Sequence, residues 1–322
     1  MPAAFFSNAQ QIELLETGKP ASLRGLSVLN DAIIWVSGTQ GSVGLTIDSG
    51  KNWKWIRVPG FEKSDFRDIE AFSQDEAIIM GITDPAVILR TTDGGNNWKT
   101  VFEDSSKSAF LDAMDFSGNI AMAIGDPVFG KKYIIKSNDK GISWHKNNLS
   151  DADTMGVGEA YFAASGSNVR IIPENGYVMV SGGKNSRLYI NSDSYTLLLN
   201  QGKETTGANS IAINPYNLNQ GFIVGGDFSH DTISFGNSLR IQLHPFVQTS
   251  PISPPHGYRS SVEYISDQQL LCCGVTGVDI SFDGGRNWTL ISSRSFHVCR
   301  KAKYGNSVIL AGPKGTIARV KF

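Results

Sequence analysis

The sequence predicts an all-β protein, a seven-bladed β-propeller closed by its N-terminal strand joining the C-terminal blade. Three observations carry this. A turn motif recurs with a period near 45 residues, a short apolar strand ending in Gly recurs seven times, and an incomplete blade is left over at each end of the chain. The 322 residues hold 34 Gly and 12 Pro, so turns are frequent and strands short. No long window has the 3.6-residue apolar repeat of a helix.

The turn motif is Ser/Thr-x-Asp-x-Gly-x-x-Trp. It stands at Thr46–Trp53, Thr91–Trp98, Ser137–Trp144 and Ser281–Trp288. Asp48, Asp93 and Asp139 lie 45 and 46 residues apart, Asp193 follows after 54, and Asp283 after a further 90, two units of 45. The stretch from Asn191 to Leu198 keeps the Asp but loses Gly and Trp, and Ser234–Ile241 is expected to be a more degraded copy. Each position has a turn role. The carboxylate accepts amide N–H bonds across the turn, the Gly takes a positive φ, and the Trp opens the next strand as a wedge between sheets. These repeated carboxylates are therefore structural.

The second repeat counts the blades. It comprises Trp35–Gly38, Ile79–Gly81, Ala123–Gly125, Met179–Gly182, Ile223–Gly225, Cys272–Gly274 and Ile309–Gly312. Four antiparallel strands per unit of this length is the signature of a propeller blade. The expected blades are 21–60, 61–106, 107–150, 157–203, 208–247, 257–293 and 294–322 completed by 10–18. The chain stops one strand short, and Gln11–Glu16 supplies it, leaving no free edge at the seam. Residues 10–322 are thus read as one domain.

Composition excludes several classes. With 29 Lys and Arg against 30 Asp and Glu, the net charge of −1 offers no global attraction to nucleic acid. The longest apolar runs are far too short to span a bilayer, so no membrane insertion is expected. Three Cys without a Cys-x-x-Cys spacing make neither a disulfide framework nor a zinc site, and are read as buried thiols. Residues 1–9 end in Phe5-Phe6-Ser7-Asn8-Ala9 and read as the remnant of a secretory signal, which predicts a periplasmic or extracellular location.

With these repeats in place, the chain resembles the Asp-box (bacterial neuraminidase repeat) propellers. Within them, Phe66–Phe72 leading to Thr91–Trp98, and Gly257–Ser260, resemble the bacterial photosystem II stability/assembly-factor-like group. The resemblance covers nearly the whole chain. It implies a propeller acting as a binding or assembly module, in a family that also holds sialidases, other glycosidases and receptor ectodomains. Some bacterial relatives are labelled oxidoreductase, but no Gly-x-Gly-x-x-Gly or other cofactor motif supports that, and no cofactor is expected.

A site is expected where the loops are long. Insertions at 60–65, 126–132, 150–158, 227–232 and 244–256 fall on the face opposite the turn motifs. The inner strands begin at that face with polar residues: Arg24, Arg67 with Asp68, Asp112, Glu159, Tyr258 with Arg259, and His297. Loop residues Asp84, Asp126, Lys184, Asp227 and Lys314 stand above them. In one reading, Arg24, Arg67 and Arg259 with His297, Asp126 and Asp227 bind a protein partner or an anionic or carbohydrate ligand. In a second, the protein is a sialidase-like glycoside hydrolase: the three Arg clamp an anion, Tyr258 is the nucleophile, and Asp68 or Asp112 is the acid, with Glu159 a further candidate. In a third, these groups pair with one another around a solvated channel. The first-blade sialidase pattern Phe/Tyr-Arg-Ile-Pro is here Leu23-Arg24-Gly25-Leu26, without its Pro. Asp84, Asp126 and Asp227 also suit turn initiation, so no metal site is assigned. A monomer is expected.

Overall fold

The computed structural model describes residues 11–82, 84–147 and 154–322; residues 1–9, read above as a signal remnant, lie outside them. The described strands form seven antiparallel sheets arranged as the blades of a closed propeller. The inner strands, in blade order, are Leu23–Val28, Phe66–Ala71, Leu111–Ser117, Val169–Ile172, Thr206–Ile213, Ser261–Tyr264 and Val298–Lys301. Seven apolar clusters fill the spaces between neighbouring blades, one cluster per interface. Each middle strand of blades one and two is apolar on both faces, Ile34–Gly38 and Ala77–Gly81 being wholly buried, because a blade packs against a neighbour on either side.

The seam closes as the terminal half-blades require. Gln11–Glu16 pairs antiparallel with Ile317–Lys321, Gln11 opposite Lys321, and so becomes the outer strand of blade seven. On the turn-bearing end, Asp31 of blade one accepts the amides of Asn306 and Ser307 in blade seven at 2.9 and 2.7 Å, which bridges the first and last blades a second time.

The repeated turns show why the motif needs its residues. In Thr91–Trp98, the Asp93 carboxylate accepts the Thr91 hydroxyl and the Asn97 amide at 2.9 Å each, and the Asn97 side-chain amide at 2.7 Å. Those donors stabilise the charged form and hold its pKa below the usual carboxylate range. Gly95 has φ +80°, and a Cβ there would strike Ile56 of the preceding blade. Trp98 donates to the Gly95 carbonyl at 3.1 Å while packing into the cluster between blades one and two. The copies at Asp48, Asp139 and Asp283 repeat the pattern.

Two expectations about the repeat are corrected. Ser234–Ile241 is not a degraded turn: Ser238–Gln242 is the third strand of blade five, and the chain turns beyond it, before Val247–Thr249. In blade four the motif has shrunk to a tight hairpin, Ile190 pairing with Asp193, and Tyr195 takes the place of the Trp by stacking on Phe246 at 4.3 Å. Blade four also begins later than 157. Glu159–Ala160 is no inner strand but pairs with Gly182–Gly183 on the side of blade five.

Candidate functional site

A kink repeated around the ring builds the site. In blades one, two, three and five the inner strand slips register once, between Leu23 and Gly25, Phe66 and Asp68, Leu111 and Ala113, and Ala208 and Ser210. The extra residues are Arg24, Arg67, Asp112 and Asn209. A β-bulge of this kind leaves one residue out of the ladder and re-aims its side chain. The corresponding positions of blades six and seven, just before Ser261 and Val298, are Ser260 and His297. All six line one cavity at the loop-bearing end of the channel, of about 470 Å³. Aromatic and small residues supply the rest of the wall: Phe110, Tyr161, Phe162, Phe228 and Tyr258, with Ala163 and Ala164 below. Phe228 sits edge-on between Phe162 and Tyr258, with ring centres 5.9 and 6.3 Å apart.

The floor of the cavity is a segment of chain. Residues 161–168, leading into blade four, cross the channel and are held by the surrounding blades. Arg24 and Arg67 each donate from Nη1, to the carbonyls of Ala164 (3.1 Å) and Ala163 (3.2 Å). Ser165 Oγ donates to the Ser260 carbonyl at 2.7 Å, and Arg300 Nη2 to the Ser165 carbonyl at 2.8 Å. Ser167 Oγ donates to Ser210 Oγ at 2.7 Å. Gly166 is required: its φ is +62°, and a Cβ would collide with the Asp68 carboxylate. The segment divides the channel into two chambers.

Charges in the upper chamber are poorly matched. Arg67 Nε has Asp65 at 2.8 Å, but among the described residues the Arg24 guanidinium has no carboxylate partner. Burial and the neighbouring Arg67 lower its hold on the proton. Burial, then Arg24 and Arg67, depress His297 to about 3, so its imidazole is neutral at ordinary pH, with Nε2 3.1 Å from Ser22 Oγ. Asp112 is fully buried, and neither of its oxygens closes a hydrogen bond, although the amides of Ala163 and Asp126 point toward it. Burial and the adjacent Asp126 push it well above the carboxylate range, and burial raises Asp126 to about 6.

The chain matches no protein-family model and no curated protein. Solved structures do share its architecture. One of YCF48 bound to D1 peptide is similar with a TM-score of 0.68 at 18% identity, over 99% of this chain and 97% of that one. YCF48 from Cyanidioschyzon merolae is similar with a TM-score of 0.68 at 18% identity, over 96% and 98%. The WD40 β-propeller domain of Doa1 gives 0.65 at 12%, over 97% of each chain. The likeness is one of fold, and the fold is a seven-bladed propeller.

Of the residues singled out in the sequence, Arg24, Arg67, Asp112, Asp126, Tyr258 and His297 meet around the upper chamber. Four others lie elsewhere. Arg259 occupies the position that Leu23, Phe66, Leu111 and Phe296 fill in other blades, one residue before the bulge, so it points into the blade stack. There it is completely buried and ion-paired with Asp279, which His256 also contacts at 2.6 Å. Asp68 lies one residue past the bulge, beneath the crossing segment, accepting the amides of Ile69 and Met114, and burial lifts it to about 7. Glu159 is buried against Ser181, Tyr189 and Gly156. Asp227 is turned toward His230 at 3.0 Å and Lys203 at 3.8 Å. Tyr258 faces the chamber, but its hydroxyl donates to Asn209 at 2.8 Å, and burial pushes its phenol above the ordinary range. The motif reading passed over Asn209, Ser260 and the crossing segment. Counting one residue on from the apolar position that opens each inner strand would have found Asn209; Ser260 escapes that count because Arg259 fills the position in blade six.

Proposed function

We propose that the protein is a binding or assembly module whose upper chamber takes a segment of a protein partner, with an anionic group of that segment on Arg24 and Arg67. The observation that carries this reading is the Arg24 guanidinium. It is largely buried, lacks a carboxylate, and opens onto an aromatic cavity of a size ordinary for ligand sites. A carboxylate arriving there would gain charge-assisted hydrogen bonds that nothing among the described residues supplies. The YCF48 structure bound to D1 peptide lends support, since a protein of the same architecture holds a peptide. The turn geometry supports membership of the Asp-box propellers, and the Phe5-Phe6-Ser7-Asn8-Ala9 run supports export.

The glycosidase reading draws less support. The Tyr258 hydroxyl is engaged by an amide oxygen rather than a base, and its raised phenol is the opposite of an activated nucleophile. Silence across a panel of fluorogenic sialosides and other glycosides is expected.

The test is a photo-cross-linking amino acid placed at Val275, on the cavity wall, in the cells that make the protein. One cross-linked protein partner is expected, lost when Arg24→Ala and Arg67→Ala are combined. An adduct pattern indifferent to both substitutions would sink the reading.

A further inference from the structure

We propose that Asp126 and Asp112 form a second subsite in the upper chamber, one that takes an ammonium or guanidinium group carried by the same ligand whose anionic group sits on Arg24 and Arg67. This rests on the reading of the chamber as a binding site and adds the ligand's second charge.

Asp126 lies near the end of the second strand of blade three, Ile120–Val128, half-exposed at the cavity wall, and among the described residues accepts only the Tyr161 amide at 3.2 Å. Asp112 stands beside it on the bulge of the same blade's inner strand, completely buried, both oxygens without a hydrogen bond. Among the described residues neither carboxyl has an ion pair within 4 Å. Arg67 eases the charged form of Asp112 from a distance but is itself paired with Asp65, so the repulsion between the two adjacent carboxyls, magnified by burial, is only partly offset. A protein that used these groups only for support would be expected to pair them, as it pairs Asp279 with Arg259 and Asp104 with Lys146.

Arg24 is unsatisfied in the opposite sense, two blades away around the same cavity. Between the two ends lie Arg67 of blade two, whose charge is taken up by Asp65, and the apolar side chains of Phe110, Phe162, Ala163 and Ala164; the Ala164 carbonyl gives Arg24 one hydrogen bond but no opposite charge. The complement of this surface is an apolar chain with an anion at one end and a cation at the other. Either end alone would leave one buried charge of the chamber uncompensated.

Three six-carbon probes separate the contributions: hexanoate, hexylamine and 6-aminohexanoate, each titrated calorimetrically into the intact protein. We expect 6-aminohexanoate to bind about tenfold or more tightly than hexanoate. Asp126→Asn should collapse that ratio toward one, and Arg24→Ala should weaken both acids. Thermal unfolding of each variant controls for folding. Equal affinity for hexanoate and 6-aminohexanoate, or a ratio that survives Asp126→Asn, overturns the cation subsite while leaving the anion-binding reading intact. If none of the three probes binds, both fall together.

Discussion

The two chambers of the channel are cut from the same inner strands and separated by one crossing segment, yet they treat charge differently. In the lower chamber, charges of opposite sign face one another. Arg170 stands 3.7 Å from Asp115, and Lys303 is paired with Glu70. Arg300 donates to the carbonyls of Ser165 and Cys299 and lies near Glu263. In the upper chamber Arg67 is paired with Asp65, but Arg24 has one carbonyl, and among the described residues no cation stands within ion-pair distance of Asp112 or Asp126. Carboxyls in both chambers are lifted by burial. A shifted acidity alone therefore does not distinguish a site from a filled channel. What distinguishes them is whether the chain itself supplies the partner.

The hardest way to break this contrast is through the one fully internal pair. Arg259 and Asp279 are both inaccessible to solvent. Asp279→Ala leaves a guanidinium buried at a position where other blades place Leu or Phe. A loss of about 3–5 kcal/mol is expected in urea unfolding. The double variant Arg259→Leu with Asp279→Leu should recover most of it, because an apolar residue is what the position accommodates elsewhere in the ring. A harmless Asp279→Ala would mean that pairing in this fold carries no stability, and the contrast would lose its meaning.

A second test uses pH. The native state holds the Asp112 proton to a higher pH than the unfolded chain does, because burial and Asp126 raise it. The native protein therefore loses stability as pH rises above the ordinary carboxylate range. Asparagine cannot ionise, so Asp112→Asn should stabilise the protein at pH 8, and the gain should shrink toward zero near pH 4. Thermal melts of both proteins across that range check the sign. A gain that grows as pH falls would mean that Asp112 has a cation that stabilises its charged form.

How far the sequence reaches follows from the same residues. The blades were legible because Asp93, Gly95 and Trp98 each answer a local demand of one turn, and the demand recurs at an even spacing. The closing strand was legible because the last blade stopped one strand short. Arg24, Arg67, Asp112 and His297 were legible as polar residues at strand starts. Arg259 was misread because facing depends on a register slip, and one residue decides between channel and core. The crossing segment escaped because Tyr161–Asn168 has no pattern of its own. Its path is set by donors from several blades, far away in sequence.

The smallest expected effect is also the sharpest. Arg24→Ala removes one hydrogen bond, to Ala164, but also relieves an unpaired guanidinium held near Arg67. The two contributions oppose each other, so stability should change by no more than about 0.5 kcal/mol in either direction. Arg170→Ala, in the other chamber, strips the buried Asp115 of its cation and should cost about 1–3 kcal/mol. Chemical unfolding of the two variants side by side isolates the difference, since both delete an inner-strand Arg that donates to a carbonyl. Equal losses would mean that Arg24 is as structural as Arg170. A neutral Arg24→Ala beside a destabilised Arg170→Ala would mean that the upper guanidinium is held ready for a group the chain does not contain.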